Sequence, residues 1–220
     1  DLPKLRHFSP PLIVSIAGTK VEDFAQAAEL LEKEEGIAAY EINVSCPNME
    51  AGGRAFGMSA AATQAVVASV KEHTRRPLFT KLTPNVTDIV EIAQAAVEAG
   101  SDGLTLINTL LGMAVDVRRR RPLLANILGG LSGPAIKPVA LRCVYQVAQA
   151  VKVPIIGVGG IASAADVFEF LLAGASAVQV GTANIVDPYI MPKIIADLEK
   201  CLAENGAASV REYIGALRAD

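Results

Sequence analysis

The sequence predicts an α/β fold of the (β/α)8 TIM-barrel class, and three observations carry that prediction. Short aliphatic runs recur along the chain, starting at residues 12, 40, 78, 103, 153 and 177, with helix-like patterns between them. Runs such as "PIIGVGG" and "SAVQVG" lack clean apolar–polar alternation, as expected of parallel strands covered on both faces. The glycine-rich turns follow the last two runs, at "GVGGIAS" and "VGTAN", whereas a doubly wound sheet carries such a turn after its first strand. Loops after strands seven and eight are where a barrel commonly holds phosphate. This alignment leaves the first two strands upstream of Asp1, and the lack of an initiating methionine agrees with it.

In order, strands are expected at 12–17, 40–45, 78–82, 103–108, 153–158 and 177–180. Helices are expected at 21–34, 60–72, 86–99, 138–151, 164–173 and 188–204. In the first helix Val21, Phe24, Ala28 and Leu31 form one stripe, with Glu and Lys on the other side. In "EINVSCPN", Ile42 and Val44 alternate with polar neighbours as in a strand, and Pro47 is expected to stop it. The segment 110–128 reads as a loop, and its basic run Arg118 to Arg121 as solvated, with a docking patch as the alternative. No low-complexity linker interrupts the rhythm, so residues 1–220 are expected to form one N-terminally incomplete domain.

Composition narrows the function. Of 220 residues, 51% are hydrophobic and 20% charged, which is enough for a large aliphatic core. The net charge of −3 comes without the basic stripe of a nucleic-acid binder. No uniformly apolar stretch reaches a transmembrane length, and no signal peptide is expected. Cysteines at 46, 143 and 201 fit neither a disulfide framework nor a zinc spacing, which points to a reducing, cytoplasmic setting.

Several residues are candidates for chemistry. Gly159 and Gly160 allow backbone N–H groups to approach an anion, and a helix starting near Ser163 adds its positive end. Gly181 and Thr182 add amides and a hydroxyl. The alternative is that these glycines only turn the chain. Lys81 in "FTKLTPN" interrupts an apolar run, so it needs a partner or a task, such as stabilising an anionic cofactor ring. Snorkelling to solvent is the alternative. Asn108 and Thr109 close the next run with an amide and a hydroxyl, which an ordinary turn also explains. Cys46 sits between two asparagines at a strand end. His7 and His73 receive no role, and no metal cluster or catalytic triad is seen.

Taken together, "EINVSCPN", "TKLTPNVTDI", "INTLLGMAVD", "GGLSGPAIKP", "GVGGIAS" and "VGTAN" resemble class 1 dihydroorotate dehydrogenases over nearly the whole chain from Leu12. The cysteine motif also fits dihydropyrimidine dehydrogenases, but "NTLLGMAVD" and "GGLSGPAIKP" favour the 1B, NAD-linked branch. The resemblance implies oxidation of dihydroorotate to orotate in pyrimidine biosynthesis. Cys46 matches the catalytic base and Lys81 the lysine beside the flavin N1 edge. Asn43, Asn48, Asn108 and Thr109 match substrate contacts. Ser15, Asn43, Lys81, Ile107, Gly133, Gly159, Gly160, Gly181 and Thr182 match positions that hold FMN, with Ser15 where the family usually has asparagine. The resemblance further implies a homodimer within a heterotetramer, whose partner subunit carries FAD and a [2Fe–2S] cluster toward NAD⁺. No "GxGxxG" turn or cysteine quartet for those groups occurs in this chain. A non-redox phosphate-binding barrel and an inactive fragment are the competing readings.

Overall fold

The computed structural model describes residues 2–45, 47–48 and 54–218. It comprises two compact units, residues 1–105 with 149–155 and residues 106–148 with 156–220.

The first unit is built on parallel strands β1 (Leu12–Ile16), β2 (Ile37–Asn43), β3 (Leu78–Leu82) and β4 (Gly103–Leu106, whose last residue lies in the second unit). Helices α1 (Val21–Glu32), α2 (Ala60–Lys71) and α3 (Ile89–Glu98) follow the first three. Ser15 pairs in register with Glu41, Glu41 with Phe79, and Asn43 with Lys81. The two-residue period of a strand therefore sets Ser15, Glu41, Asn43, Phe79 and Lys81 on one face. Tyr40, Ile42, Leu78 and Leu82 take the other face and are completely buried, as are Phe24 of α1, Val66, Val67 and Val70 of α2 and Ala96 of α3. Each of the valine, leucine, isoleucine and phenylalanine side chains among these contributes about 1.5–3 kcal/mol. Phe24 meets Phe56 edge to face at 5.5 Å.

Helix starts follow their caps. Asp88 accepts from the N–H groups of Val90 (2.8 Å) and Glu91 (3.4 Å), so α3 begins at Ile89 rather than at the expected Val86. Asp23 takes the N–H groups of Thr19 and Lys20 at 2.8 and 2.9 Å, ahead of α1. At the other end of α1, Arg76 donates to the carbonyls of Leu31, Glu32 and Glu34 and so closes the helix. β2 begins at Ile37, earlier than the expected residue 40, and ends at Asn43. Its end is a side-chain turn, with the Ser45 N–H donating to Asn43 Oδ1 at 3.1 Å. Pro47 does not stop it; Pro47–Asn48 instead pairs antiparallel with Arg54–Ala55.

In the second unit, α4 (Lys137–Ala150, whose last two residues lie in the first unit) precedes β5 (Ile155–Val158), α5 (Ala164–Leu172) follows it, and β6 (Ala177–Gln179) pairs parallel with β5. A short helix Thr182–Val186 and α6 (Ile190–Glu204) come next. Strands β4 and β5 are each divided between the units. Leu104 N–H donates to Pro154 O in the first, and Ile107 N–H to Val158 O in the second. Hydrogen-bonded order thus follows chain order from β1 to β6, where a doubly wound sheet would reverse.

The expected loop 110–128 is corrected. Leu110–Met113 pairs antiparallel with Leu128–Leu131, and Val115–Asp116 with Arg121–Pro122. The arginines turn this ribbon and are exposed, with Arg120 at φ 52° and the Arg119 N–H held by Asp116 Oδ1 at 3.0 Å. Among the described residues no helix is long and apolar enough to cross a membrane.

Candidate functional site

The first unit gathers its polar residues on the sheet face opposite the helices. Lys81 of β3 keeps 21% side-chain exposure, and its Nζ lies 3.4 Å from Glu41 Oε1. Glu41 is buried, and its Oε2 accepts a hydrogen bond from the Thr105 hydroxyl at 2.9 Å. Lys81 therefore has a carboxylate partner on the strand beside it. Asn43 stands one strand position beyond Glu41 on the same face and directly in register with Lys81. Ser15 pairs with Glu41 but is exposed. Just past Asn43, the Ser45 hydroxyl is buried with no hydrogen-bond partner among the described residues. Cys46 lies outside the described residues, and for Asn48 only the backbone is described.

The second unit assembles a glycine-lined cluster from three connections. Gly133, Gly159 and Gly160 all have positive φ, at 91°, 138° and 78°. A Cβ on Gly160 would sit 2.8 Å from the Gly133 carbonyl oxygen and 2.9 Å from Lys137 Cβ, so the turn itself requires glycine there. Gly181 is different: its φ is −103° and a Cβ would meet nothing within 4 Å. Thr182 donates its hydroxyl to Ser132 Oγ at 2.8 Å, and its methyl lies 3.5 Å from where a Gly133 Cβ would be. Ile107 is buried at the end of β4. Asn108 Oδ1 accepts from the Thr109 N–H at 2.7 Å.

The N-terminus of α5 carries its own anion. Asp166 accepts from the Ala162 N–H (2.9 Å), the Ser163 hydroxyl (2.8 Å) and Lys137 Nζ (2.6 Å), while Lys137 also reaches Glu169 at 2.9 Å. Burial acts to raise the Asp166 carboxyl pKa, but the Lys137 ammonium and these donors outweigh it and hold it below the usual aspartate value. Hydrogen bonds to Asp166 and then Glu169 raise Lys137 above the usual lysine value. Part of the positive helix end expected near Ser163 is therefore spent on Asp166.

The structure thus brings Asn43 and Lys81 together in one unit, and Gly133, Gly160 and Thr182 in the other. Glu41, Thr105 and Ser132 join them without having been singled out. Glu41 was within reach of the strand period, being two residues before Asn43; its partners were not, because they lie on other strands. Among the described residues, no group of three or more His, Cys, Asp or Glu residues is placed to hold a metal ion. Cys143 is buried, which pushes its thiol pKa up and leaves it unreactive.

Comparison with known proteins agrees on one family. The family described as dihydroorotate dehydrogenase matches residues 2–202. The chain is similar to a dihydroorotate dehydrogenase B (NAD(+)), catalytic subunit, of Geotalea uraniireducens (strain Rf4). The two are 56% identical over 216 residues, which cover 98% of this chain and 71% of that protein. A protein of the same name from Desulforudis audaxviator (strain MP104C) is 57% identical over 215 residues, covering 98% and 70%. Another from Bacillus pumilus (strain SAFR-032) is 53% identical over 215 residues, covering 98% and 69%. The matched region takes in every strand from β1 to β6 and the glycine, asparagine and lysine positions on them, so the chain belongs to the dihydroorotate dehydrogenase family.

Proposed function

We propose that this chain oxidises dihydroorotate to orotate in the de novo synthesis of pyrimidine nucleotides, as an FMN-dependent catalytic subunit whose electrons leave through a partner subunit to NAD⁺. The observation that carries the reading is identity at more than half of all positions, across 98% of the chain, to proteins that bear that activity in their names.

The residues present fit FMN. The positive φ of Gly159 and Gly160 and the open space beside Gly181 suit close approach of backbone N–H groups to a phosphate. Thr182 adds a hydroxyl, and Lys81 brings a cation suited to a ring that gains negative charge. Ser15, Asn43, Ile107 and Gly133 complete the set proposed to hold the cofactor. FMN, when bound, supplies the acceptor for the hydride from C6 of the substrate. Cys46 is the base that removes the C5 proton, since a thiol of ordinary pKa near 8.5 is close enough to neutrality to serve. Asn43, Asn48, Asn108 and Thr109 bind the pyrimidine, pairing neutral amides and a hydroxyl with ring N–H, carbonyl and carboxylate groups.

In this reading residues 1–220 belong to a single FMN-binding (β/α)8 domain, of which β1 to β6 are consecutive strands. The assembly is a cytoplasmic heterotetramer, a homodimer of this chain with two subunits carrying FAD and [2Fe–2S]. The test is to purify the full-length protein alone, identify any released flavin, and supply dihydroorotate with either NAD⁺ or an artificial dye. Bound FMN and dye reduction without NAD⁺ reduction are expected. Efficient NAD⁺ reduction by the isolated chain would overturn the partner requirement. A colourless protein that binds only phosphate esters would overturn the flavoenzyme reading.

A further inference from the structure

Glu41 is a buried carboxylate in the middle of an otherwise apolar strand, and the proposed chemistry assigns it nothing. Buried carboxylates persist where they are paired and hydrogen-bonded. Two contacts of Glu41 come from the next two strands and use one oxygen each. Thr105, completely buried on β4, donates its hydroxyl to Oε2, while Oε1 faces Lys81 Nζ on β3. The threonine hydroxyl thereby fixes the carboxylate so that its second oxygen points at the lysine. At 3.4 Å the pair is a charge contact that confines the ammonium without enclosing it.

We propose that Glu41 is the positioning residue for Lys81: it holds the ammonium on the sheet face and balances its charge, so that the flavin beside it meets a nearly neutral pair. The second half rests on the FMN reading above; the first does not.

The charge argument gives signs. Glu41→Gln keeps the size of the side chain and an oxygen for Thr105 but leaves a net positive charge near the flavin. Reduced flavin carries negative charge, so its reduction becomes easier. The midpoint potential of bound FMN, measured by equilibration with reference dyes in the full-length protein, is expected to shift upward in Glu41→Gln. It should shift downward in Lys81→Met and return close to the wild-type value in the double variant. A purely structural role for Glu41 would not produce opposite shifts that cancel. A fully flavinated Glu41→Gln protein with an unmoved potential would overturn the charge-balancing role.

Positioning is read separately, in flavin-free protein, from the rate at which an amine-reactive ester acylates Lys81, followed by peptide mass spectrometry. Glu41→Gln is expected to speed acylation several-fold by releasing the side chain. If that variant does not fold, Thr105→Val, which removes only the orienting hydroxyl, is expected to do the same. Unchanged rates in folded variants would overturn the positioning role. A protein that takes up no FMN would sink the proposed function, and the acylation rates would still decide this one.

Discussion

The carbonyl oxygen of Gly133 closes off the side-chain position of Gly160: a Cβ there would lie 2.8 Å from that oxygen, inside van der Waals contact. Gly160 also has φ 78°, which other residues rarely adopt. Gly181 has neither constraint. Gly160→Ala should therefore destabilise the fold by about 1–3 kcal/mol through strain and backbone displacement. Gly181→Val should leave the urea midpoint of the flavin-free protein within experimental scatter yet lower the FMN content of the purified protein. A Gly181→Val protein that keeps its flavin would show that this glycine only turns the chain.

A second prediction concerns pH. Asp166, depressed below the usual aspartate value, adds stability that is present above its unfolded pKa and is lost as pH falls through its lower folded pKa. Lys137, raised above the usual lysine value, adds stability that is present below its unfolded pKa and is lost as pH rises through its folded pKa. Urea midpoints should hold a plateau between those limits. Asp166→Asn should lower the plateau by about 1–3 kcal/mol, because a partly buried ammonium loses the closer of its two carboxylate partners, and should flatten the acid limb. An acid limb identical to wild type would remove Asp166 from that account.

Much of this was readable from the chain, and the boundary is instructive. Strand–helix repetition shows in local patterns, so each expected strand and helix lies within a few residues of the observed one. Pairings between distant residues leave no local trace. Glu41 and Lys81 meet only once the register of β2 and β3 is set, and Thr105 reaches Glu41 from 64 residues away. The ribbon between Leu110 and Leu131 was missed for another reason. "LLGM" and "LGGL" are short and glycine-containing, and many of their large apolar side chains are exposed, so no buried face imposes a pattern.

Arg76 is predicted to matter as a fork rather than as a charge. It donates to the carbonyls of Leu31, Glu32 and Glu34 and to the Tyr40 hydroxyl (3.0 Å), which itself donates to Glu32 Oε2 at 3.2 Å. Arg76→Lys should lose most of this, because one ammonium cannot span those acceptors. A loss of about 1–3 kcal/mol is expected for the lysine variant and about 1 kcal/mol for Tyr40→Phe. Thermal or urea unfolding would measure both. A lysine variant as stable as wild type would disprove the fork.

Under the proposed mechanism, Cys46→Ser should retain FMN while reduction by dihydroorotate at neutral pH slows about 10²–10⁴-fold, the usual contribution of a general base. An alkyl hydroxyl ionises far above a thiol, so the residual rate should climb with pH. Stopped-flow bleaching of the flavin would follow it. An unchanged rate would take Cys46 out of the mechanism.

The buried carboxylate of Glu41 also acts as an alignment mark for the sheet. In parallel strands a slip of one residue turns every side chain to the opposite face. Were β3 to slide by one position against β2, Lys81 would leave Glu41, and Thr80 or the fully buried Leu82 would take the place of its ammonium. The buried carboxylate would then lose this ion pair, at a cost of about 3–5 kcal/mol, comparable to much of a domain's net stability. Aliphatic strands such as "LFTKL" and "AYEIN" tolerate many sliding arrangements on hydrophobicity alone. One ion pair across them leaves a single arrangement without penalty.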